Sequence, residues 1–211
     1  NDAAPELRTP LTVLRGHLEV IDVEDAADVE ATRTLLLDEV DRMSRLVTDL
    51  LLLAKAQRPD FVRVEPTDVE ALTVGALERA RGLGDRAWVL DGAAPALVDL
   101  DGQRVTQALL QLAQNAVQHT DEGDEIGLGS RVVGDRLELW VRDTGSGVPE
   151  EMRGSLFDRF AQAQPGREGF GLGLSIVSAI AEAHGGRAVL DEPGPGHGAT
   201  LRLVIPIGGG A

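Results

Sequence analysis

Two stretches near the start of the chain place apolar residues at the spacing of packed helices. Within residues 7–21 the apolar positions step by 4, 3, 4 and 3, and within residues 36–54 they step by 4, 3, 4, 3 and 4. This heptad pattern predicts two helices in residues 1–57, separated by an acidic turn at 22–28. Two antiparallel helices cannot enclose a core alone. We therefore expect a homodimeric four-helix bundle, with a hairpin packed on the rest of its own chain as the alternative.

A different pattern begins after a linker at Arg58-Pro59-Asp60. Short apolar runs and alternating stretches predict strands at 61–64, 86–90, 126–133, 136–142, 188–190 and 200–205. Helical spacing predicts helices that begin at Asp68 and Asp101, and a last helix at 171–184. The fold class is therefore α+β: the helical hairpin is followed by an α/β sandwich with helices on one face of a mixed sheet.

Two glycine-rich segments stand out within this second region. Asp143-Thr144-Gly145-Ser146-Gly147 follows a half-buried strand, so Asp143 lies at the strand end and the glycines let the backbone turn and approach a ligand. The segment 169–177 leads into the last helix. Glycines at a helix start leave its first N–H groups open to an anion, which favours a phosphate site.

Composition and charge exclude several classes of function. The chain of 211 residues has a formal net charge of −15, which argues against a nucleic-acid-binding protein. It has no cysteine, so it has neither disulfides nor thiolate chemistry. The sequence shows no apolar run of membrane-spanning length and no signal peptide, and the chain reads as a fragment of something longer.

The helix at 101–119 adds a candidate metal ligand. Gln111, Asn115 and His119 are four residues apart and share one face. An Asn carbonyl oxygen suits a Mg²⁺ ion that already carries triphosphate oxygens and waters. The alternative is that Asn115 is a polar surface position.

Five ordered motifs carry a resemblance to a known family: 111–120 (QLAQNAVQHT), 143–147 (DTGSG), 156–160 (LFDRF), 169–174 (GFGLGL) and 196–200 (GHGAT). They resemble the N, G1, F, G2 and G3 boxes of the ATP-binding domain of sensor histidine kinases. Residues 6–12 (ELRTPLT) resemble the H box of that family's dimerisation and phosphotransfer domain. The resemblance implies a phosphotransfer-like hairpin at 1–57 and a Bergerat-type ATP-binding domain at 58–211, with a lid at about 148–170.

The resemblance also implies roles for individual residues. Asp143 accepts a hydrogen bond from the adenine amino group, unless it only caps the turn, and Asn115 holds Mg²⁺. Thr200 lies near Asp143, and Phe157 and Phe160 fasten the lid. Gly145 and Gly147 let the base approach, and Gly169, Gly171 and Gly173 present N–H groups to the phosphates. His119 and Arg159 are implied phosphate contacts, with ordinary surface roles as the alternative, and Leu174 is a further implied ATP contact.

One departure from the family pattern concerns the phosphoacceptor. The family places a histidine immediately before Glu-Leu-Arg-Thr-Pro, and here that position is Pro5. Proline offers no nucleophilic nitrogen, and His17 lies about 120° round the helix from Pro5, which makes it a poor substitute. The family's general base and water-orienting threonine correspond to Glu6 and Thr9, which share a helix side at i, i+3.

Three hypotheses follow. The first is the cytoplasmic core of a membrane-bound two-component sensor kinase that binds ATP and Mg²⁺, acts on a response regulator receiver domain and forms a homodimer through 1–57. This hypothesis predicts no autophosphorylation, and it allows phosphatase activity. The second is a pseudokinase that serves as a nucleotide-gated dimeric scaffold. The third, an ATPase that uses water, fails because Gln111 stands where such enzymes carry a glutamate base.

Overall fold

The computed structural model describes residues 3–161, 170–191 and 198–207, with side chains from residue 8 onward. The chain folds into two compact units, residues 1–54 and 55–211. Among the described residues, no helix combines the length and the apolar character needed to cross a bilayer.

The first unit consists of two helices, α1 (Ala3–Val20) and α2 (Ala26–Lys55). The expected turn is present, although α2 begins inside the acidic stretch, at Ala26. Aspartates hold this turn: Asp28 accepts a hydrogen bond from the N–H of Asp22 (2.7 Å), and Asp25 accepts one from Ala27 (2.9 Å). Helix α1 is continuous through Pro10.

Large apolar side chains of both helices are exposed to solvent in the single chain. On α1 they include Leu11 and Leu18, with exposed fractions of 54% and 58%, and on α2 they include Leu37 and Leu51, with 52% and 57%. Exposure of this much leucine surface on two adjacent helices is typical of an unfilled protein–protein interface.

The second unit contains seven strands and four α-helices in its described residues. In chain order they are β1 (Glu65–Asp68), α3 (Val69–Ala80) with a 3₁₀ turn at Arg81–Leu83, β2 (Ala87–Gly92), β3 (Leu97–Leu100), α4 (Gly102–Gln118), β4 (Glu125–Val133), β5 (Arg136–Asp143), α5 (Glu150–Arg153), α6 (Gly173–Ala183), β6 (Arg187–Leu190) and β7 (Thr200–Pro206).

The main sheet has five strands in the order β2-β4-β5-β7-β6. The β2–β4 pair is parallel and the other pairs are antiparallel, so the predicted mixed sheet is confirmed. Helices α3, α4 and α6 pack against the sheet. Along β5 the inward residues Leu137, Leu139 and Val141 are buried, while Glu138, Trp140 and Arg142 are half-buried on the other face.

Local signals place the helices correctly. Asp68 caps α3 by accepting from the N–H of Ala71 (3.0 Å), and Asp101 caps α4 by accepting from Arg104 (2.9 Å). Gly185 follows α6 with a φ of 73°, the left-handed conformation of a helix C-terminus. The fold class expected from the sequence is therefore the one observed.

The strand predicted at 61–64 is wrong. Phe61 is buried with the guanidinium of Arg104 over its ring (4.5 Å), and the N–H of Arg63 donates to the Asp101 carboxylate (2.8 Å) instead of to a neighbouring strand. The strand starts four residues later than predicted, at Glu65, and pairs with β3, which the sequence did not predict.

Candidate nucleotide-binding site

The site is built around Asp143, the last residue of β5. Its carboxylate is buried, with 4% of the residue exposed, and its Oδ1 accepts from the N–H groups of Gly145 (2.9 Å) and Ala199 (3.2 Å). The backbone of Asp143 pairs with the segment just before β7. The N–H of Asp143 donates to the carbonyl of Ala199, and the N–H of Gly198 donates to the carbonyl of Asp143, both at 2.9 Å. The carboxylate is therefore fixed by two loops at once.

Burial raises the pKa of the Asp143 carboxyl above its ordinary value. The two backbone N–H donors and the nearby His119 act in the opposite direction, and Asp124 adds a smaller upward contribution. Net elevation means that the folded protein holds an ionised carboxylate here at a cost in stability. A ligand that donates to it would offset that cost.

Glycines surround this carboxylate because there is no room for a side chain. A Cβ at Gly145 would overlap the carbonyl oxygen of His119, and a Cβ at Gly198 would overlap Asp143 Oδ1. Gly147 has a φ of 72°, and a Cβ there would lie 2.9 Å from the carbonyl oxygen of Gly198. The DTGSG loop and the segment before β7 are thus in direct backbone contact.

One face of α4 connects the two glycine segments. Its Gln111 lies against α6, since a Cβ at Gly173 would come within 2.8 Å of Gln111 Oε1, and its His119 carbonyl lies against Gly145. Asn115 is halfway along this face and half-buried. Asn115 therefore lies on the helix face that runs from Gly173 to Gly145.

The N-terminus of α6 offers free backbone donors. Leu172 occupies the cap position and makes no side-chain hydrogen bond to the helix. The N–H groups at the start of α6, from Gly173 and Leu174 on, are thus left for an anion. Gly169 lies outside the described residues.

Phe160 and Gly171, both within or next to the predicted lid, are in contact beside this helix. The N–H of Phe160 donates to the carbonyl of Gly171 (2.9 Å), and both residues are in the left-handed region, with φ of 64° and 67°. A Cβ at Gly171 would lie 2.6 Å from Ala161 O. Phe157 is half-buried, whereas Arg159 is exposed, so Arg159 is the more available of the two to a ligand.

Comparison with known proteins matches this arrangement to two families. Residues 100–209 match the family described as "Histidine kinase-, DNA gyrase B-, and HSP90-like ATPase", and residues 1–59 match the "His Kinase A (phospho-acceptor) domain". The chain belongs to the histidine kinases.

Individual relatives agree with this assignment. The chain is 35% identical over 202 residues to the probable sensor histidine kinase TcrY of Mycobacterium tuberculosis, with 92% of this chain and 42% of TcrY covered. It spans less than half the length of that relative. Among solved structures, it matches the Acinetobacter baumannii histidine kinase AdeS with a TM-score of 0.74 and 26% identity, over 97% of this chain and 98% of AdeS. It also matches ShkA in complex with AMPPNP with a TM-score of 0.70 and 30% identity, over 98% of this chain and 45% of ShkA.

In this histidine kinase core, the residues predicted to form the phosphoacceptor region lie in the first turns of α1. Pro5 and Glu6 are within the helix, and their side chains lie outside the described part of the chain. Thr9 is exposed, one turn further on. Their roles remain predictions.

A polar cavity of about 340 Å³ opens beside the DTGSG loop. Its lining comes from the end of α4 and from the turns around it: Gln118, His119, Thr120, Asp121, Asp124, Thr144, Gly145 and Ser146. The cavity places His119 beside Thr144 and Gly145, just after the end of β5.

Sequence reasoning missed the part played by the segment before β7. It singled out Thr200, which pairs with Arg142 in the β5–β7 register. The direct contacts to Asp143 instead come from the Ala199 N–H and from the close approach of Gly198. The signal was present in the sequence, since glycine at 198 marks a close backbone approach.

Proposed function

We propose that this chain is the ATP·Mg²⁺-binding core of a two-component sensor histidine kinase and acts on a response regulator. The observation that carries the proposal is the buried, glycine-enclosed carboxylate of Asp143. Its two backbone hydrogen bonds reach Oδ1. We assign Oδ2 to the amino group of adenine, because a charged acceptor buried beside a donor-bearing base forms a strong hydrogen bond.

The phosphates are assigned to the N-terminus of α6, whose first turn has no side-chain cap. The amide oxygen of Asn115 fits Mg²⁺ that arrives with the triphosphate, since hard neutral oxygens complement phosphate and water ligands. Such an ion would neutralise charge on the β- and γ-phosphates. ShkA, which is 30% identical, has been crystallised with the ATP analogue AMPPNP, and this supports nucleotide binding.

The helical unit is proposed to dimerise. The exposed leucines of α1 and α2 would be buried in a four-helix bundle with a second copy of residues 1–57. A response regulator receiver domain is the proposed partner of the same unit. The similarity to sensor kinases supports a cytoplasmic position within a membrane-bound parent protein.

Pro5 changes the chemistry expected of this core. Its ring nitrogen is an amide nitrogen with no N–H, so it cannot accept a phosphoryl group, and we expect no autophosphorylation. Glu6 and Thr9 stand three residues apart, where they could activate and orient water against a phosphorylated regulator. The alternative is a pseudokinase that binds nucleotide and acts as a dimeric scaffold for a response regulator or another kinase; Pro5 is the observation that favours it.

A label-transfer experiment tests the proposal. The chain and its Pro5→His variant are incubated with γ-labelled ATP and Mg²⁺, with Pro5→Gln as a control that restores helix-compatible backbone without an acceptor. We expect label on Pro5→His alone. Label on the unmodified chain would contradict the assignment of Pro5, and ATP binding without label on Pro5→His would favour the scaffold. Release of phosphate from a phosphorylated receiver domain, lost in Thr9→Ala, would identify phosphatase activity.

A further inference from the structure

An ionic bridge crosses the outer face of the sheet directly behind Asp143. Arg142 on β5 donates to Asp91 on β2 through Nε (2.8 Å) and through one terminal nitrogen (2.7 Å), a two-point contact. Trp140 adds a hydrogen bond from its indole N–H to the same carboxylate (3.1 Å). Strands β2 and β5 are not neighbours, because β4 lies between them.

The bridge is possible only because β4 carries glycine beneath it. A Cβ at Gly127 would lie 2.5 Å from Asp91 Oδ2 and 2.7 Å from Arg142 Nε, and a Cβ at Gly129 would overlap the ring of Trp140. Glycine weakens a strand interior, and in such a position it often marks a close approach. The two glycines of this central strand thus leave room for the bridge to cross it.

Glu125, the first residue of β4, holds both neighbours of Asp143. Its carboxylate accepts from Arg142 (2.7 Å), its N–H donates to Thr144 Oγ1 (3.1 Å), and its carbonyl accepts from the N–H of Thr144 (3.2 Å). Residues 142 and 144 are thus anchored on the outer side, while Asp143 between them points inward.

We propose that Asp91, Glu125 and Arg142 form a clamp that positions Asp143 to read the amino group of the bound base. This inference rests on the proposed adenine-binding function. Arg142 is a positioning residue, since it lies on the opposite face of the sheet from the carboxylate. Its guanidinium is held by the carboxylates of Asp91 and Glu125, and it acts by fixing the strand end.

The chain supplies a matched control for the arginine. Arg202 on β7 also contacts two carboxylates, Glu138 (2.7 Å) and Asp191. Its side chain is 20% exposed, compared with 19% for Arg142. Loss of either arginine removes a comparable ion pair, but only Arg142 adjoins Asp143.

The readout is selectivity for the amino group. Binding of ATP and of purine riboside triphosphate, which has hydrogen in place of that group, is measured by calorimetry for the unmodified chain, Arg142→Met and Arg202→Met. We expect the unmodified chain and Arg202→Met to prefer ATP by at least about tenfold, the equivalent of ~1.4 kcal/mol. Arg142→Met should bind the two nucleotides within about threefold of each other, because a displaced acceptor no longer forms a directional hydrogen bond.

A second variant removes no charge. Gly127→Ala places a methyl group against Asp91 and Arg142 and should reproduce the loss of selectivity, which keeps the test open if Arg142→Met does not fold. Unchanged selectivity in folded Arg142→Met or Gly127→Ala would overturn the clamp, as would equal losses in Arg142→Met and Arg202→Met. If the unmodified chain binds both nucleotides equally or neither, the proposed function itself fails.

Discussion

Replacement of Asp143 by asparagine should separate ligand recognition from folding. The variant keeps the shape of the side chain and removes its charge. The N–H groups of Gly145 and Ala199 both point at Oδ1, so the amide oxygen must take that place. The amide NH₂ group then faces the ligand, where it meets another donor in the adenine amino group.

The expected loss of affinity can be worked from these contacts. A hydrogen bond to a charged group contributes about 1.5–3 kcal/mol, and a buried donor left without an acceptor costs about 1–3 kcal/mol. Together these terms weaken ATP binding by at least about 2.5 kcal/mol, or at least about 50-fold in Kd.

Stability should change in the opposite direction. Because the folded-state pKa of Asp143 is raised, ionisation of this carboxyl costs folding free energy at pH values above that pKa. The unmodified chain recovers this cost as the pH falls and the carboxyl becomes protonated. Asp143→Asn never carries the charge, so its free energy of unfolding should exceed that of the unmodified chain at neutral pH. The difference should shrink towards acid pH.

Two measurements check the prediction: calorimetric titration with ATP at pH 7.5, and urea unfolding of both proteins from about pH 4, the ordinary carboxyl pKa, up to about pH 8. Undiminished ATP affinity would refute the assignment of Asp143 to the base. A large loss of stability at neutral pH would indicate that the carboxylate acts mainly as a cap of the turn.

Three further substitutions test the packing of the ATP-binding domain. Gly145→Ala should abolish ATP binding and destabilise the fold, because the new methyl group overlaps the His119 carbonyl, whereas Gly75→Ala on α3, with open space around it, should stabilise the fold by about 0.5–1 kcal/mol. Thermal unfolding with and without ATP measures both effects, and a soluble Gly145→Ala protein that binds ATP would contradict the geometry. Leu139→Ala, at a fully buried position of β5, should cost about 2–5 kcal/mol in urea unfolding, and a cost below about 1 kcal/mol would show that the core is loosely packed there.

Elements with local signals were predictable from the sequence. The β4–β5 hairpin follows from alternation and from Gly134, whose φ is 60°, and the starts of α3 and α4 follow from Asp68 and Asp101 as caps. The strand at 61–64 failed for a tertiary reason. Phenylalanine is common in strands, but in this segment Phe61 packs under Arg104 and the N–H of Arg63 donates to Asp101, about forty residues away, instead of to a neighbouring strand.

The residues of the site could be predicted from the sequence, but the contacts between them could not. The motif identified Asp143 and the need for close approach at Gly145. The sequence contains no local sign that Ala199 would donate to Asp143, because that contact depends on the register in which Arg142 pairs with Thr200. The bridge from Arg142 to Asp91 was equally hidden, since it skips a strand.

The placement of Asn115 relative to the N-terminus of α6, the proposed phosphate site, depends on the contacts between α4 and α6. At one end, Asp101 N–H donates to Nε2 of His184 (3.0 Å), which requires the neutral imidazole to donate from Nδ1 to the carbonyl of Ile180 (2.7 Å). Towards the other end, Gly173 lies against Gln111. The two helices are thus fixed as an antiparallel pair, which carries the proposed metal and phosphate contacts, while the strand end carries the proposed contact to the base. Changes at His184 should therefore weaken triphosphate binding without altering selectivity for the amino group, the converse of what the Arg142 clamp predicts.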